Sequence, residues 1–596
     1  MNQTLMLLVA LLPAPLFVLP VSGSPAGRFA AVPVTRAAVL VNQVGYDSDA
    51  PKPFVFQAPA EQRFMRVEFR VLDAGQNAVL AGVAQAANPM WGARYWTGDF
   101  SGVRRQGRYT VEVTTEHGVF CSSPFTVGED AVFRETVMPA VNWFRLQRCG
   151  DRVAGWHAPC HLDDAALTND GARVHRDRTG GWHNAGDWNK YTLITCRSVY
   201  ALAEAARNRK AGLSAADRLK VMEEAVWGCG FLLKMWQPGK GKVYQDVWFG
   251  YGHRASPDLT TDNVVGTGDD RTLRGEGYSA MAAAALAAVA RETGRKDFRE
   301  AAVDLWRGAA EHLEEDTEEI WNGWEGQHAL DLGQDVKGRT VRRAADLLFA
   351  AVELERLTGE ARFAESARRC VGILQAEQGS DGLWPTDAYS RMVLQGMPAA
   401  ALALYCRDNP KTETAANARA LLRKWTDGLI GLSDSPFGIV PFAEGVFFCP
   451  RVKRNDGKGN CYLWGQNSQY LSDAWALYQA ARLLDDPAAR RLADRQMDWV
   501  LGLNKLNLCM MEGQGSFNPP RWHHAWGLDP KTGKVPGAVA NGITRAGGHP
   551  GPDEPWFDLD VPPESLPDYS TAESWEPHNA FFILAVAARS ELNRNR

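Results

Sequence analysis

The sequence predicts a multidomain protein, with a small all-β sandwich followed by a large all-α domain. Three observations predict it. From residue 38 to about 127, short runs alternate apolar and polar residues between turn residues, the period of half-buried strands. From residue 130 onward the period becomes that of helices about 12 to 20 residues long, separated by loops. The chain of 596 residues is 45% hydrophobic and 23% charged, which allows more than one domain and a large core.

In chain order, Leu5 to Val21 is an apolar run broken by Pro13, Pro15 and Pro20. It is short and proline-rich for a membrane span. It reads as a secretory signal over 1–24, cleaved near Val21-Ser22-Gly23-Ser24, although no Lys or Arg precedes it. A signal anchor is the alternative. A secreted or periplasmic location is expected, with no membrane span in the mature chain. A Pro/Ala linker covers 25–37 and the sandwich 38–128. Its clearest strands are Val39-Leu40-Val41, the run Met65 to Val71, Tyr109 to Val113, Val119-Phe120-Cys121 and Phe125-Thr126-Val127.

The helical domain covers 129–596. Helices are predicted near 131–147, 193–209, 215–235, 275–293, 297–314, 341–358, 361–375, 392–407, 412–430, 468–483, 486–502 and 577–592. The Ala-rich helix from Gly277 to Ala290 has small residues on every side and is expected to be buried between others. Two long loops, 239–274 and 506–577, are rich in Gly, Pro, Trp and His and are expected to line a substrate.

The net charge of −5 offers no field for nucleic acid or an anionic membrane. The 21 tryptophans are either a large aromatic core or a set of stacking platforms. Trp188, Trp248, Trp384 and Trp522, set in polar, Gly-rich or Pro-rich loops, are the better platform candidates. Of ten cysteines, Cys196, Cys229, Cys370 and Cys406 fall in helical patterns and read as buried thiols, while Cys449 and Cys461 would close a short loop. Spacing does not fix the disulfide connectivity.

The stretch from Gly180 to Tyr191, GGWHNAGDWNKY, is neither helix nor strand in pattern. Gly180-Gly181 breaks a helix, and Gly186 lets the backbone pass close to something. Rings flanking the carboxyl of Asp187 suit the flat face of a sugar and acid–base work on it. The competing reading is a buried aromatic turn in which Asp187 caps the following helix.

This stretch resembles the GGW-x-DAGD segment of glycoside hydrolase family 9, with Asn184 in place of the first Asp. The resemblance implies a closed (α/α)6 barrel, hydrolysis of β-1,4-glucans with inversion, and Asp187 as general base. The opening strand Val41 to Tyr46 and the segment Trp96 to Ser101 are similar to the immunoglobulin-like domain that precedes many catalytic domains of the family. The stretch Asp568 to Ala580 resembles the segment that carries the general acid, and its register puts Glu573 on the acid. Glu576 precedes Pro577 and reads as a favourable charge at a helix start. An inverting pair requires carboxyls about 6.5–9.5 Å apart and an acid with a raised pKa.

Two departures stand out. The family's first Asp helps hold the attacking water, a role that would fall to the amide of Asn184. After Trp499 to Asn504, which is similar to the family's L-L-G-x-N helix end, His523 and His524 match histidines that contact sugar hydroxyls. Ala525 replaces the Arg that follows them, and Trp522 replaces a Pro. A sugar subsite is therefore expected to differ, since Arg carries a fork of donors and Ala none. His523, His524 and Tyr569 join the four tryptophans as substrate-binding candidates.

Cys149, Cys160, His161 and His183 suit a tetrahedral structural zinc, or else a Cys149–Cys160 disulfide with incidental histidines. Family members with the N-terminal domain often hold zinc through RCG, CHL and GGWH segments, all present here, which favours zinc. Calcium is left unassigned, because Asp258, Asp262, Asp269 and Asp270 form no calcium-binding loop pattern and read as a solvated acidic loop. The expected protein is a monomeric β-glucan hydrolase with no organic cofactor. An exo-acting glucosidase or glucosaminidase, and a weakened glycan-binding protein, are the alternatives.

Overall fold

The structure is a computed structural model. It describes residues 33–168, 174–248, 255–313, 336–385, 396–442, 445–448, 452–453, 460–461, 465–524, 532–545, 553–562 and 565–594. The expected signal and most of the linker lie outside these residues, as do Cys449 and Ala525.

Ten strands form the N-terminal sandwich: β1 (Ala38–Leu40), β2 (Gly45–Asp47), β3 (Pro53–Pro59), β4 (Glu68–Asp73), β5 (Ala78–Val83), β6 (Gln85–Met90), β7 (Ala93–Asp99), β8 (Gly107–Thr115), β9 (Gly118–Cys121) and β10 (Phe125–Gly128). One sheet runs β1-β3-β7-β6 and the other β2-β10-β8-β4-β5, with β9 on β8. Phe54, Phe56, Phe69, Val111 and Phe125 fill the space between them. The strand β3 shows no alternation because both its faces are covered. Phe54 and Phe56 face the sandwich core, whereas Val55 joins the core shared with the helical domain. Polar groups fix the joint: Asn42 Nδ2 donates to Asp498 at 2.8 Å and Gln57 Nε2 to the Lys505 carbonyl at 3.0 Å.

Twelve long helices follow among the described residues: α1 (Ala131–Leu146), α2 (Thr192–Arg207), α3 (Ala215–Met235), α4 (Ala280–Thr293), α5 (Lys296–Glu311), α6 (Val336–Thr358), α7 (Ala361–Glu377), α8 (Gly396–Asp408), α9 (Glu413–Leu432), α10 (Asn467–Leu484), α11 (Pro487–Val500) and α12 (Glu576–Arg594). Their starts follow the usual capping chemistry. The side chains of Ser214, Ser279 and Asp486 accept from N–H groups of the first turn, and Pro487 opens α11. The even-numbered helices form a closed ring in which α2 packs on α4, α4 on α6, α6 on α8, α8 on α10, α10 on α12 and α12 on α2. Each odd-numbered helix packs chiefly against one of them. The alanines of α4 are buried along its whole inner run, as the uniform small residues require.

The loop expected over 239–274 is partly a sheet. Lys242–Trp248 and Thr272–Gly277 pair antiparallel, and the first also pairs with Lys190–Tyr191, just after the motif loop. Strand pairing ends there, so α4 starts at Ala280 rather than 275.

Candidate active site

The loop carrying Asp187 is pinned at both ends. Gly181 sits at φ +71°, and a Cβ there would meet the Phe231 ring at 2.8 Å, so both conformation and space demand glycine. His183 N–H donates to the Gln147 carbonyl at 2.8 Å, and the buried Trp182 donates its indole N–H to Glu224 at 2.7 Å. At the far end, Trp188 lies in the left-handed region at φ +62°. Arg271 holds its carbonyl, and Asn184 N–H donates to the Asn189 carbonyl at 3.0 Å, closing the loop neck.

Asp187 is the one partly exposed residue from Gly181 to Lys190. Its carboxylate accepts from Asn189, from the backbone N–H at 3.1 Å and the side-chain amide at 2.7 Å. It does not cap α2, whose first turn receives no side-chain cap. Burial pushes its pKa up despite the Asn189 bonds.

Glu573 follows a single helical turn, Tyr569–Ala572, that Asp568 opens by accepting from Ser570 N–H. Extended backbone then brings its carbonyl to Asn541 N–H at 2.8 Å, and its Oε1 accepts from Gly186 N–H at 3.2 Å. Burial first, then the neighbouring charge of Asp187, push the Glu573 carboxyl well above the usual carboxylate range. The closed helical ring has brought together two carboxyls from opposite ends of the domain. Glu573 is the more deeply buried of the two, and Asp187 is the more accessible to solvent.

Asn184 differs from its expected role as a holder of the attacking water. Its side chain is fully buried, Nδ2 donates to Glu576, and Oδ1 accepts from Tyr191 N–H. Glu576 is itself buried, and its carboxyl points at Asn184 rather than at solvent beyond the helix start. Sequence reading missed this pairing because the partners lie at opposite ends of the domain.

The substrate-binding candidates divide. His523 and His524 lie beside the Glu573 segment, where His523 N–H donates to the Ala572 carbonyl at 3.0 Å. His523 Nδ1 pairs with the Pro567 carbonyl and its ring lies against Tyr569, both rings partly exposed. His524 is buried, with Nε2 at 3.2 Å from Ser574 Oγ. Trp248 is partly exposed, and the Arg274 guanidinium covers its ring at 4.3 Å. The other three tryptophans are corrections. Trp522 is 0% exposed and donates to Glu512, Trp384 is 3% exposed and donates to the Leu374 carbonyl, and Trp188 is 2% exposed against His183. Each indole N–H finds a partner inside the protein, which lets the whole ring leave the surface.

Cys149, Cys160, His161 and His183 converge in a buried cluster. The two sulfurs are not bonded to each other. Cys149 Sγ lies 3.9 Å from His161 Nδ1, and Cys160 Sγ 3.6 Å from His183 Nε2. With usual zinc–sulfur and zinc–nitrogen bond lengths, one edge of a tetrahedral site spans about 3.6 Å, so the donor set fits that ion. Burial pushes His183 down to about 3, which leaves a neutral imidazole able to ligate. Burial opposes ionisation of Cys149, but the hydrogen bond from Cys160 and the charges of Lys190, His183 and Arg271 prevail and hold its thiol well below the usual range.

Beside the cluster lies a buried ion triad that sequence reading did not find. Asp164, fully buried, takes Lys190 at 2.7 Å and both arms of Arg271. A second group, Asp163 with Asp262 and Asp269, brings three carboxylates together. Two of these were expected as solvated acids. Asp163, which completes the group, lies about a hundred residues earlier and accepts from Thr261.

Two carboxyls brought together from the two ends of the helical domain, the Glu573 carboxyl raised by burial and by Asp187, suit acid–base work on a glycosidic bond. Residues 133–586 match the family model for glycosyl hydrolase family 9, and residues 34–117 match the cellulase N-terminal ig-like domain. The chain belongs to glycosyl hydrolase family 9 and is a glycoside hydrolase of endoglucanase type. It is 24% identical over 510 residues to a cellodextrinase of Butyrivibrio fibrisolvens, covering 80% of this chain and 85% of that protein. It is 25% identical over 516 residues to endoglucanase D of Acetivibrio thermocellus, covering 82% and 74%. Among solved structures it resembles a zinc-binding triple mutant of the family 9 endoglucanase J30, with TM-score 0.67, 23% identity, and 91% and 99% of the two chains covered.

Proposed function

We propose that the protein hydrolyses β-1,4-linked glucans with inversion, Asp187 acting as base and Glu573 as acid. The supporting observation is the contact of Gly186 N–H with Glu573 Oε1, which sets the acid against the residue next to Asp187. Glu573, kept protonated by burial and by Asp187, gives its proton to the leaving oxygen. Asp187, held by Asn189, takes a proton from water on the opposite face of the sugar. His523 and Tyr569, half-exposed beside the acid segment, bind sugar hydroxyls, and the buried His524 orients that segment through Ser574.

The ring of helix contacts supports an (α/α)6 barrel. Cys149, Cys160, His161 and His183 would hold a zinc ion whose contribution is structural, since four protein ligands leave no open position. The protein is secreted or periplasmic and acts as a monomer.

The withdrawal of Trp384 and Trp522 from the surface favours short cello-oligosaccharides over crystalline polymer, because two expected stacking platforms are lost. The likeness to a cellodextrinase points the same way. The test is NMR of fresh products from a panel of cello-oligosaccharides, β-glucans and chitosan oligomers. Initial α-anomers that vanish in Asp187→Asn support the proposal. Initial β-anomers, or full activity in Asp187→Asn, refute it.

A further inference from the structure

The carboxyl of Glu576 has no part in the acid–base steps above, yet it lies fully buried beneath the loop that carries Asp187. One of its oxygens accepts from Asn184 Nδ2, and the Ser198 hydroxyl lies within reach of the carboxyl. Its backbone N–H donates to the Asn184 carbonyl at 2.8 Å. Asn184 is equally committed, because its Oδ1 takes Tyr191 N–H and its own N–H closes the loop neck on Asn189. Three residues before Glu576, on the same segment, Glu573 takes Gly186 N–H. The base loop and the acid segment therefore touch at Gly186–Glu573 and at Asn184–Glu576.

We propose that Asn184 and Glu576 form a matched amide–acid clamp, two positioning residues that set the separation of Asp187 from Glu573. The proposal rests on the assignment of those two carboxyls as base and acid. It gives the departure at position 184 a physical reason. An Asp there would face the buried carboxyl of Glu576, and one of the two would have to carry a proton that the amide makes unnecessary. Burial already holds the Glu576 carboxyl well above the usual carboxylate range, so this site disfavours negative charge and a carboxylate at 184 would meet the same cost. On this reading Asn184 is not a catalytic Asp that has been lost. It is half of a pair whose other half lies 392 residues away.

The test is a double-mutant cycle on the full chain, with kcat and KM measured on cello-oligosaccharides and zinc content checked for each variant. Asn184→Asp is expected to lower kcat about tenfold or more, with KM moving less than about threefold, since a small displacement of the base is read in the chemical step. Glu576→Gln, which keeps an acceptor for Asn184, is expected to lower kcat a few-fold. Combining the two exchanges acid and amide across the contact and is expected to recover most of the loss seen in Asn184→Asp. Glu576→Leu, which orphans the Asn184 amide, is expected to lower kcat about 10- to 100-fold. The clamp is overturned if Asn184→Asp matches or exceeds the wild type, or if the effects of the two substitutions simply multiply. A wild type that cleaves no member of the panel refutes the substrate reading instead. Crystal structures then decide the clamp, and an Asp187–Glu573 separation unchanged in Asn184→Asp overturns it.

Discussion

Arg271→Met is the perturbation that most directly tests how the site is held. The guanidinium is 3% exposed and has three partners: both oxygens of Asp164, the Trp188 carbonyl, and Cys149 Sγ at 3.3 Å. Methionine fills the space and donates to none of them. Asp164 keeps only Lys190, at 2.7 Å. Removing one partner from a buried ion pair costs about 3–5 kcal/mol, and the remaining cation keeps the loss near the lower end. The orphaned carbonyl adds about 1 kcal/mol or more. Unfolding entropy near 2.1 cal/mol/K per residue, summed over residues 133–586, is about 1 kcal/mol/K, so Tm should fall by about 3–5 °C. Trp188, released at its carbonyl, no longer needs its left-handed conformation, and Asp187 beside it is freed to move. The kcat should then fall about 10- to 100-fold, with a much smaller change in KM. Calorimetry and steady-state kinetics on one preparation read both effects. Arg271→Lys, which restores charge without the fork, should recover part of the Tm and little of kcat. A Tm within 1 °C of wild type together with an unchanged kcat would refute the claim that this triad holds the base loop.

Four further outcomes are expected. Glu573→Gln should lower kcat/KM on cello-oligosaccharides about 10²- to 10⁴-fold but much less on aryl glycosides whose leaving group needs no proton, and equal losses on both would remove Glu573 as the acid. The wild-type pH profile should have both limbs above the ordinary carboxylate range, because Asp187 and Glu573 are both raised. Stripping zinc with a strong chelator should release about one ion per chain and lower Tm, as should Cys149→Ser, whereas a chelator-insensitive Tm would count against a structural metal. Asp498, raised to about 7 chiefly by burial, binds its proton more tightly in the folded chain than in the unfolded one. Its contribution is therefore most favourable below about pH 4 and is lost as the pH climbs to about 7. Asp498→Asn should leave stability unchanged near pH 4 and raise it at pH 8, by at most about 4 kcal/mol, and a variant equally stable relative to wild type at both pH values would sink this account.

The helices were legible because their apolar period is long and repeated. Each of the twelve predicted patterns overlaps an observed helix, and the largest shifts are at two starts: α4 begins at Ala280 rather than 275, where a strand takes the first residues, and α6 begins at Val336, five residues before the predicted start. The strands were less legible. The run Pro53–Pro59 is buried on both faces and has no alternation, while Ala78–Val83 is mostly exposed and has no apolar face to announce it. The four cysteine and histidine donors could be found because each sits in a short, distinctive segment. The charges that support them could not. Asp164, Lys190 and Arg271 look like ordinary surface residues in a linear reading, and only the fold shows them fully desolvated. Trp384 and Trp522 misled for the opposite reason. Polar and proline-rich neighbours suggested exposure, but a single acceptor, the Leu374 carbonyl or the Glu512 carboxylate, is enough to bury an indole whole.

The base loop has neither helix nor strand to hold it, and its backbone passes through left-handed positions at Gly180, Gly181 and Trp188. Such a segment stays in place only if the surroundings determine it more strongly than its own conformational preferences do. Three tethers do this, each on a different residue and each of different chemistry. His183 belongs to the buried Cys/His cluster, Asn184 is clamped by Glu576, and the Trp188 carbonyl is held by Arg271. Arg271 also touches Cys149, so the first and third tethers share a buried charge network, while the second ties the loop to the acid segment. Disruption of the Cys/His cluster should therefore loosen Trp188 as well as His183. Loss of the clamp should shift the base relative to the acid and leave metal content intact. That difference separates the two modes of failure in a single set of variants.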